Sequence, residues 1–206
     1  LFHPSRRGRF DLPGMQPGAF VAGFTGAHGI ANGLDAVLDA AKVLKEQRRD
    51  DIQIVLIGDG NQKDRLVARA KAEELHNVLF FAPIRKSEVA RVTASLDCGL
   101  MILADVKAFY YGTSPNKFFD YISAGLPVVC NYPGWLADLI QQHSCGRVTT
   151  PGRPDELADA LCELAAAPRE RNAMARRARQ LAETDFSRPH LAAQFIQFIE
   201  TMGKHK

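Results

Sequence analysis

Hydrophobic and polar positions follow two alternating patterns from Phe20 onward. One is a short continuous apolar run, as in "FVAGFT" at 20–25 and "IQIVLIGDG" at 52–60, and it is typical of strands buried on both faces. The other places apolar residues three and four positions apart, as on one face of a helix. Between the two runs this second pattern comprises Leu34, Val37, Leu38, Ala41 and Leu44. The sequence therefore predicts a strand, a loop, a helix and a second strand.

The same alternation continues through the rest of the chain. Further apolar runs predict strands at 78–81, 98–103, 128–131 and 146–150. Amphipathic segments predict helices at 63–75, 87–96, 115–124, 135–143, 154–167, 169–184 and 188–202. We expect Ser87 to cap the helix after the third strand, and Pro154 to lie near the start of a later one.

Strands that alternate regularly with helices predict a parallel sheet covered on both faces. The predicted fold class is therefore α/β, a doubly wound, Rossmann-like parallel sheet with extra C-terminal helices. The first 18 residues are rich in Arg, Pro and Gly and lack apolar periodicity, so we predict a linker remnant at 1–18 and one domain at 19–206. Ligands of such sheets bind beyond the carboxyl ends of the strands, and the loops after the strands are the ones to examine.

Composition narrows the possible functions. With 206 residues, 46% of them hydrophobic, the chain can fill the core of one sizeable domain. The net charge of +3 favours an anionic ligand only weakly and does not indicate nucleic acid. No apolar run approaches the roughly 20 residues of a membrane span and no signal peptide is visible, so we expect a cytoplasmic protein. The four cysteines lie far apart without metal-ligand spacing, and no metal site is predicted.

The loop after the first strand, "GFTGAHGIANGL", is rich in glycine around His28 and Asn32. Gly26 and Gly29 let the backbone approach a ligand, ahead of a helix N-terminus that favours a phosphate. The spacing matches neither the dinucleotide fingerprint nor the P-loop, and a merely tight turn explains the glycines equally well. Histidines in such loops are usually at the surface, and we expect this of His28, while keeping it as a candidate ligand contact.

The loops after the second and third strands carry weaker signals. Gly58, Asp59 and Gly60 form a sharp turn that can pass close to a bound group, although a turn capping the next helix is an equally good interpretation. Pro83 and Ile84 follow the third strand, where free backbone groups can pair with something planar. These residues are candidates because of their place at the sheet edge.

The loop after the fourth strand, "YGTSPNKFFDY", leads into a helix with a lysine in its first turn. With Ser114 as N-cap and Pro115 as the first helical residue, Lys117 is third, where the helix dipole disfavours a cation. An ordinary surface pair between Lys117 and Asp120 is worth only about 0.3 to 0.5 kcal/mol. The alternative is an anion bound by Lys117 and backbone amides, with Asp120 accepting hydrogen bonds from hydroxyl groups of the same ligand.

Several ordered blocks of the sequence resemble a known family. They are "FTGAHGIANGLDAVLDAA", "IVLIGDG", "GTSPNKFFDYISAGLPVV", "PGWLADLI" and "CGRVTTPGRPDELADAL". Together they resemble the donor-binding C-terminal half of GT-B glycosyltransferases of family four, many of which build bacterial polysaccharides. The resemblance implies that this half binds a nucleotide sugar, and that an N-terminal acceptor domain absent from this chain completes the enzyme. It also implies retaining transfer without a metal or a cofactor, with the nucleotide sugar as a substrate.

The resemblance implies roles for particular residues. Asp120 stands at the second of the family's two glutamates and keeps the carboxylate expected on the ribose hydroxyls. The first glutamate falls on Gly112, so the sugar contact must come from elsewhere, and main-chain amides of Thr113, Ser114 and Asn116 are candidates.

The family's basic phosphate ligands in the first loop align with Ala27 and Asn32 in this sequence. This departure leaves Lys117 as the positive charge for the diphosphate, and it is our candidate catalytic residue.

The resulting functional hypothesis is a transferase that moves a sugar, expected to be UDP-linked, to a polysaccharide or lipid-linked acceptor. The enzyme is expected to be of hexosyl or N-acetylhexosaminyl type, inactive without its other half and in peripheral contact with the cytoplasmic membrane. One alternative is a nucleotide-sugar epimerase of related fold. Another is a non-enzymatic Rossmann-like binding module, in which Lys117 and Asp120 form an ordinary surface pair.

Overall fold

The computed structural model describes residues 13–203, apart from the side chains at 86 and 87. Its six strands form one sheet in the order β3-β2-β1-β4-β5-β6, and every neighbouring pair is parallel. The strands are β1 Phe20–Thr25, β2 Ile52–Ile57, β3 Val78–Phe81, β4 Cys98–Met101, β5 Val128–Cys130 and β6 Gly146–Val148. The predicted strands and fold class are confirmed. The linker predicted at 1–18 lies largely outside the described residues.

Helices follow the strands as the periodicity predicts. They are α1 Asp35–Glu46, α2 Lys63–Ala72, α3 Lys86–Ala94, α4 Lys107–Gly112, α5 Asn116–Ser123, α6 Trp135–Gln142, α7 Pro154–Ala166, α8 Pro168–Thr184 and α9 Arg188–Gly203. A short 3-10 turn at Ile30–Asn32 precedes α1. Neither α4 nor the 3-10 turn was predicted, because elements this short show no apolar period.

Two predicted helix starts are wrong. Ser87 lies inside α3, whose N-cap is Arg85, and so does not precede the helix. In the loop after β4, Pro115 is the N-cap of α5, with φ −78° and ψ 125°, so Lys117 is the second helical residue. Thr113 and Pro115 are both extended, and the indole Nε1 of Trp135 in α6 donates to the Thr113 carbonyl at 2.9 Å, which holds this segment. The chain therefore enters α5 in an extended conformation.

Apolar side chains from alternate positions of the strands form a core on each face of the sheet. On one face α1, α2 and α7 pack against residues such as Phe24 and Leu56. On the other face α3, α5, α6 and most of α8 pack against residues such as Val55 and Val128. The sheet is thus wound on both sides, as expected, and only its edges are available for ligands.

The last helix differs from the others in its exposure. The large side chains of α9 face solvent, with Phe195 66% and Phe198 59% exposed. Within residues 13–203 no helix, α9 included, is long and apolar enough to cross a membrane.

Helix α5 is held tightly against the sheet, and this fixes its first turn. Gly99 in β4 faces the ring of Tyr121, and a Cβ at Gly99 would lie 2.4 Å from that ring. The Tyr121 hydroxyl accepts a hydrogen bond from the backbone N–H of Thr25, at the end of β1, at 3.0 Å. Lys117, one turn before Tyr121, is therefore positioned at the carboxyl end of β1.

Candidate functional site

The loops after β1 and β2 are joined by backbone hydrogen bonds. The N–H of Gly26 donates to the carbonyl of Ile57 at 3.0 Å, and the N–H of His28 donates to that of Asp59 at 2.8 Å. Gly58 has φ +150°, and a Cβ there would lie 1.9 Å from the Gly26 carbonyl oxygen. Only glycine fits at this position, so the close approach of the two loops depends on it.

A lysine in the first turn of α2 joins the neighbouring strand to this edge. The Lys63 ammonium donates to the carbonyls of Gly58 at 2.7 Å and Phe81 at 2.9 Å. It thereby ties the ends of β2 and β3 together beneath the candidate site. Sequence reasoning missed this residue, although a lysine at a helix start was the same signal that identified Lys117.

His28 is buried completely, so the expectation of a surface histidine is wrong. Its ring lies between Phe24 and Phe80, with centroid distances of 6.2 and 6.3 Å, and neither ring nitrogen has a hydrogen-bond partner in the described part of the chain. Burial, and then the nearby charge of Lys63, lower the pKa of His28. His28 is buried because the hydrogen bonds between the two loops fold both loops over its side chain. With its pKa lowered, the imidazole is neutral and supports the loops by packing.

A cavity of about 330 Å³ opens above the carboxyl ends of β1, β2 and β3. It brings together four of the predicted residues, Gly26, Gly58, Pro83 and Ile84. The rest of its lining is Thr25, Ala27, Ile57, Asp59 and Val89. The cavity combines apolar side chains with exposed backbone, which suits a flat, partly polar group.

Lys117 lies beside this cavity, and no carboxylate among the described residues is paired with it. Its ammonium donates to the side-chain carbonyl oxygen of Asn32 at 3.2 Å and lies 3.9 Å from the ring centroid of Phe24. No ion pair joins it to Asp120 or to any other acidic residue that the structure describes. A Cβ at Gly26 would lie 3.3 Å from the Lys117 ammonium, so the lysine is adjacent to the glycine-rich loop after β1. Burial lowers the pKa of Lys117 to about 8.

Asn32 connects this lysine to its surroundings. Its amide nitrogen donates to the Ala27 carbonyl at 2.7 Å, while its amide oxygen accepts from Lys117. In the same turn the Ala31 carbonyl accepts from the N–H of Ala104, after β4, at 3.0 Å. The loops after β1 and β4 therefore meet at the lysine.

Three other predicted residues line separate cavities and are not among the residues lining the first one. Asn116 and Asp120 line a second cavity of about 880 Å³ between α5 and the end of α8, together with Arg179 and Arg188. Gly29 lines a separate small cavity of about 80 Å³.

Three further predicted residues have backbone or surface positions. The Thr113 hydroxyl donates to the Phe109 carbonyl at 2.9 Å, and Ser114 is exposed. Gly60 has φ +156°, and a Cβ there would lie 2.5 Å from the His28 carbonyl oxygen, which explains the glycine by packing.

The chemistry available at this edge is anion binding. Lys117 supplies a positive charge, and the first turn of α5 presents amide groups that have no acceptor within the helix. Within residues 13–203, no three His, Cys, Asp or Glu side chains come together in a way that could hold a metal ion.

Solved structures share this fold. HepE from Anabaena, in complex with UDP, matches with a TM-score of 0.75 and 19% identity over 89% of this chain and 49% of that one. WaaG, a glycosyltransferase involved in lipopolysaccharide biosynthesis, matches with a TM-score of 0.68 and 23% identity over 89% of this chain and 50% of that one. Sucrose-phosphate synthase from Thermosynechococcus elongatus matches with a TM-score of 0.78 and 18% identity over 100% of this chain and 50% of that one. This chain thus spans about half the length of these relatives.

Sequence comparisons give the family directly. A comparison with curated protein sequences finds no match. The family model described as "Glycosyl transferases group 1" matches residues 14–181, which include all six strands and the whole candidate site. Since this match covers most of the chain, the chain belongs to the group 1 glycosyl transferases.

Proposed function

We propose that this chain is the nucleotide-sugar-binding half of a retaining, metal-independent glycosyltransferase. Its donor is a nucleoside diphosphate sugar, and its acceptor is a polysaccharide or a lipid-linked sugar. One observation carries the proposal: Lys117 is a largely buried cation beside a glycine loop, and within the described residues only a neutral amide and an aromatic ring contact its ammonium. A diphosphate supplies the charge that this environment lacks.

The donor parts fit the site in a defined order. The base enters the cavity beside Pro83 and Ile84, and the diphosphate binds Lys117 and the amides at the start of α5. Asp120, one turn further along α5, is our candidate for the ribose hydroxyls. As the bond to the sugar breaks, negative charge grows on the diphosphate, and a fixed ammonium stabilises this charge more than it stabilises the bound donor. Lys117 is therefore the proposed catalytic residue.

Properties of the relatives support the finer parts of the proposal. The HepE structures contain UDP or UDP-glucose, which favours a uridine nucleotide here. The UDP-glucose bound to HepE favours a hexosyl-type transfer, and the role of WaaG in lipopolysaccharide biosynthesis favours a lipid-linked acceptor. Acceptor binding belongs to the remaining half of a full-length enzyme, which would work in the cytoplasm at the membrane surface.

Calorimetry with Lys117→Met tests the proposal. We expect the unchanged chain to bind UDP more tightly than GDP or ADP, and the variant to lose roughly 100-fold in affinity for UDP, about 2.7 kcal/mol. Methionine keeps most of the length of the side chain and removes the ammonium, with its charge and its hydrogen bond to Asn32.

Lys71→Met is the matched control. Lys71 is exposed near the C-terminal end of α2, which lies at the opposite edge of the sheet because the helix runs back from the carboxyl ends of the strands. Its replacement should leave the Kd for UDP unchanged. If no nucleotide binds to the unchanged chain at millimolar concentration, or if both variants behave alike, the proposed donor site is wrong.

A further inference from the structure

The loop after β4 contains a carboxylate that is held in place by a buried tyrosine. The Tyr110 hydroxyl donates a hydrogen bond to Asp105 Oδ1. Tyr110 is buried, and burial followed by this hydrogen bond raises its pKa to about 12, so it stays a donor at neutral pH. Asp105 is exposed, and its second carboxylate oxygen has no hydrogen-bond partner within the described residues. One oxygen is thus oriented while the other remains available.

The tyrosine is itself fixed by the loop after β5. Its ring stacks on that of Tyr132, with centroids 6.4 Å apart and planes within 13°. Gly134 has φ +120°, and a Cβ there would lie 2.3 Å from the Tyr110 carbonyl oxygen. Because these contacts are buried and close, they fix the position of the Tyr110 hydroxyl that binds Asp105.

Asp105 lies on the β4 side of Lys117. Its neighbour Ala104 donates to the Ala31 carbonyl, and a Cβ at Gly33 would lie 2.6 Å from the Ala104 Cα. Between Ala31 and Gly33 is Asn32, which binds the Lys117 ammonium. Asp105 is therefore joined through the loop after β1 to the proposed diphosphate site.

The order of the strands gives the direction of the donor. Pro83 and Ile84 lie at the β3 end of the series β3-β2-β1-β4-β5, and Lys117 lies at the end of β1. In a nucleotide sugar the diphosphate joins the nucleoside to the sugar. A donor with its base beside Pro83 and its diphosphate at Lys117 consequently extends its sugar towards β4, and the loop after β4 carries Asp105.

We propose that Asp105 binds hydroxyl groups of the transferred sugar and determines which sugar is accepted, with Tyr110 as its positioning residue. This inference rests on the proposed donor site. A carboxylate accepts hydrogen bonds from two hydroxyls at once, and a charged acceptor binds them more strongly than a neutral one. Gly112 closes α4 without a side chain and offers no such contact.

The test compares two affinities in the same chain. Calorimetry gives the Kd for UDP and for UDP-glucose, UDP-galactose and UDP-N-acetylglucosamine. For Asp105→Asn we expect the Kd for UDP to stay within twofold, while the preference of the chain for its best UDP-sugar over UDP falls at least tenfold. Tyr110→Phe should lower the same preference in part, because the ring and its packing remain. Asp159→Asn, at an exposed acidic position on α7, is the matched control and should change neither affinity.

The outcomes separate this inference from the proposed function. If the unchanged chain binds UDP and Asp105→Asn leaves the preference for every UDP-sugar intact, the inference is overturned and the proposed function stands. If Asp105→Asn weakens UDP itself as much as the sugars, Asp105 acts on the nucleotide or on folding, and the inference is again overturned. If the unchanged chain binds no nucleotide, both fail. The melting temperature of Asp105→Asn should match that of the unchanged chain, since the side chain is exposed.

Discussion

A single lysine carries most of the chemistry proposed here. Lys117 is surrounded by a ring, an amide oxygen and a glycine, so its charge is only weakly stabilised, and its pKa falls to about 8. A bound diphosphate stabilises the protonated form and raises that pKa. Affinity for the diphosphate should then depend on pH in a range where few other side chains titrate.

We expect the Kd for UDP to be constant near pH 7 and to rise by up to tenfold per pH unit above about pH 8. There the free lysine is neutral and must take up a proton on binding. Calorimetry between pH 7 and 9.5, in two buffers with different ionisation enthalpies, measures both the Kd and the proton uptake. Lys117→Met should show neither effect, and a flat profile for the unchanged chain would contradict a role of this ammonium in binding.

Residues differ in how much the sequence reveals of them. Lys117 could be found because a cation at a helix start is electrostatically unusual and calls for a partner. His28 could not be placed, because its burial depends on hydrogen bonds between two loops that lie about 30 residues apart in the chain. Asp105 gave no signal either, since its orientation depends on Tyr110 and on contacts to the loop after β5.

Among the elements, the two loops after β1 and β2 act as one unit. They share backbone hydrogen bonds, enclose His28 and rest on the Lys63 ammonium. Strand positions were predictable because strands buried on both faces are continuous apolar runs. The contact between these loops could not be predicted, because the glycines that allow it are equally typical of an ordinary turn.

Gly58→Ala should break this unit. The new Cβ would collide with the Gly26 carbonyl, and alanine is strained at φ +150°, so we expect the free energy of unfolding to fall by about 2 kcal/mol and UDP affinity to fall with it. Urea denaturation and calorimetry measure the two effects. Gly112→Ala is the control, because a Cβ there has no atom within 4 Å, and its stability should stay within about 0.5 kcal/mol. Equal stability of the two variants would show that the loops do not need their close approach.

At the scale of the whole molecule, this chain corresponds to about half of the relatives whose fold it shares. Fold class and family could be predicted from the sequence, because regular alternation and several ordered blocks each constrain the answer independently. The donor sugar and the acceptor could not be predicted from the sequence. The first depends on side chains brought together by folding, and the second, in the function proposed above, on a half of the enzyme that this chain does not include.

A full-length enzyme containing this chain should transfer sugar from UDP-sugar to a lipid-linked acceptor, and the 206-residue chain alone should not. Nuclear magnetic resonance of the product should show the anomeric configuration of the donor, and EDTA should leave the rate unchanged. Free sugar or an epimerised nucleotide sugar as the main product would favour the epimerase alternative. Lys117→Met in the full-length enzyme should lower kcat/KM by roughly 100-fold or more.

The sheet order also affects how such an enzyme can diverge. The cavity proposed for the base is built by loops after β1, β2 and β3, whereas Asp105 and its support come from the loops after β4 and β5. The two sets touch where the Ala104 N–H donates to the Ala31 carbonyl and Lys117 donates to Asn32, and substitutions that spare these contacts change one set while leaving the other in place. A lineage could therefore exchange its sugar while keeping its nucleotide, and loops after β4 and β5 grafted from a relative offer the same route to a laboratory designer.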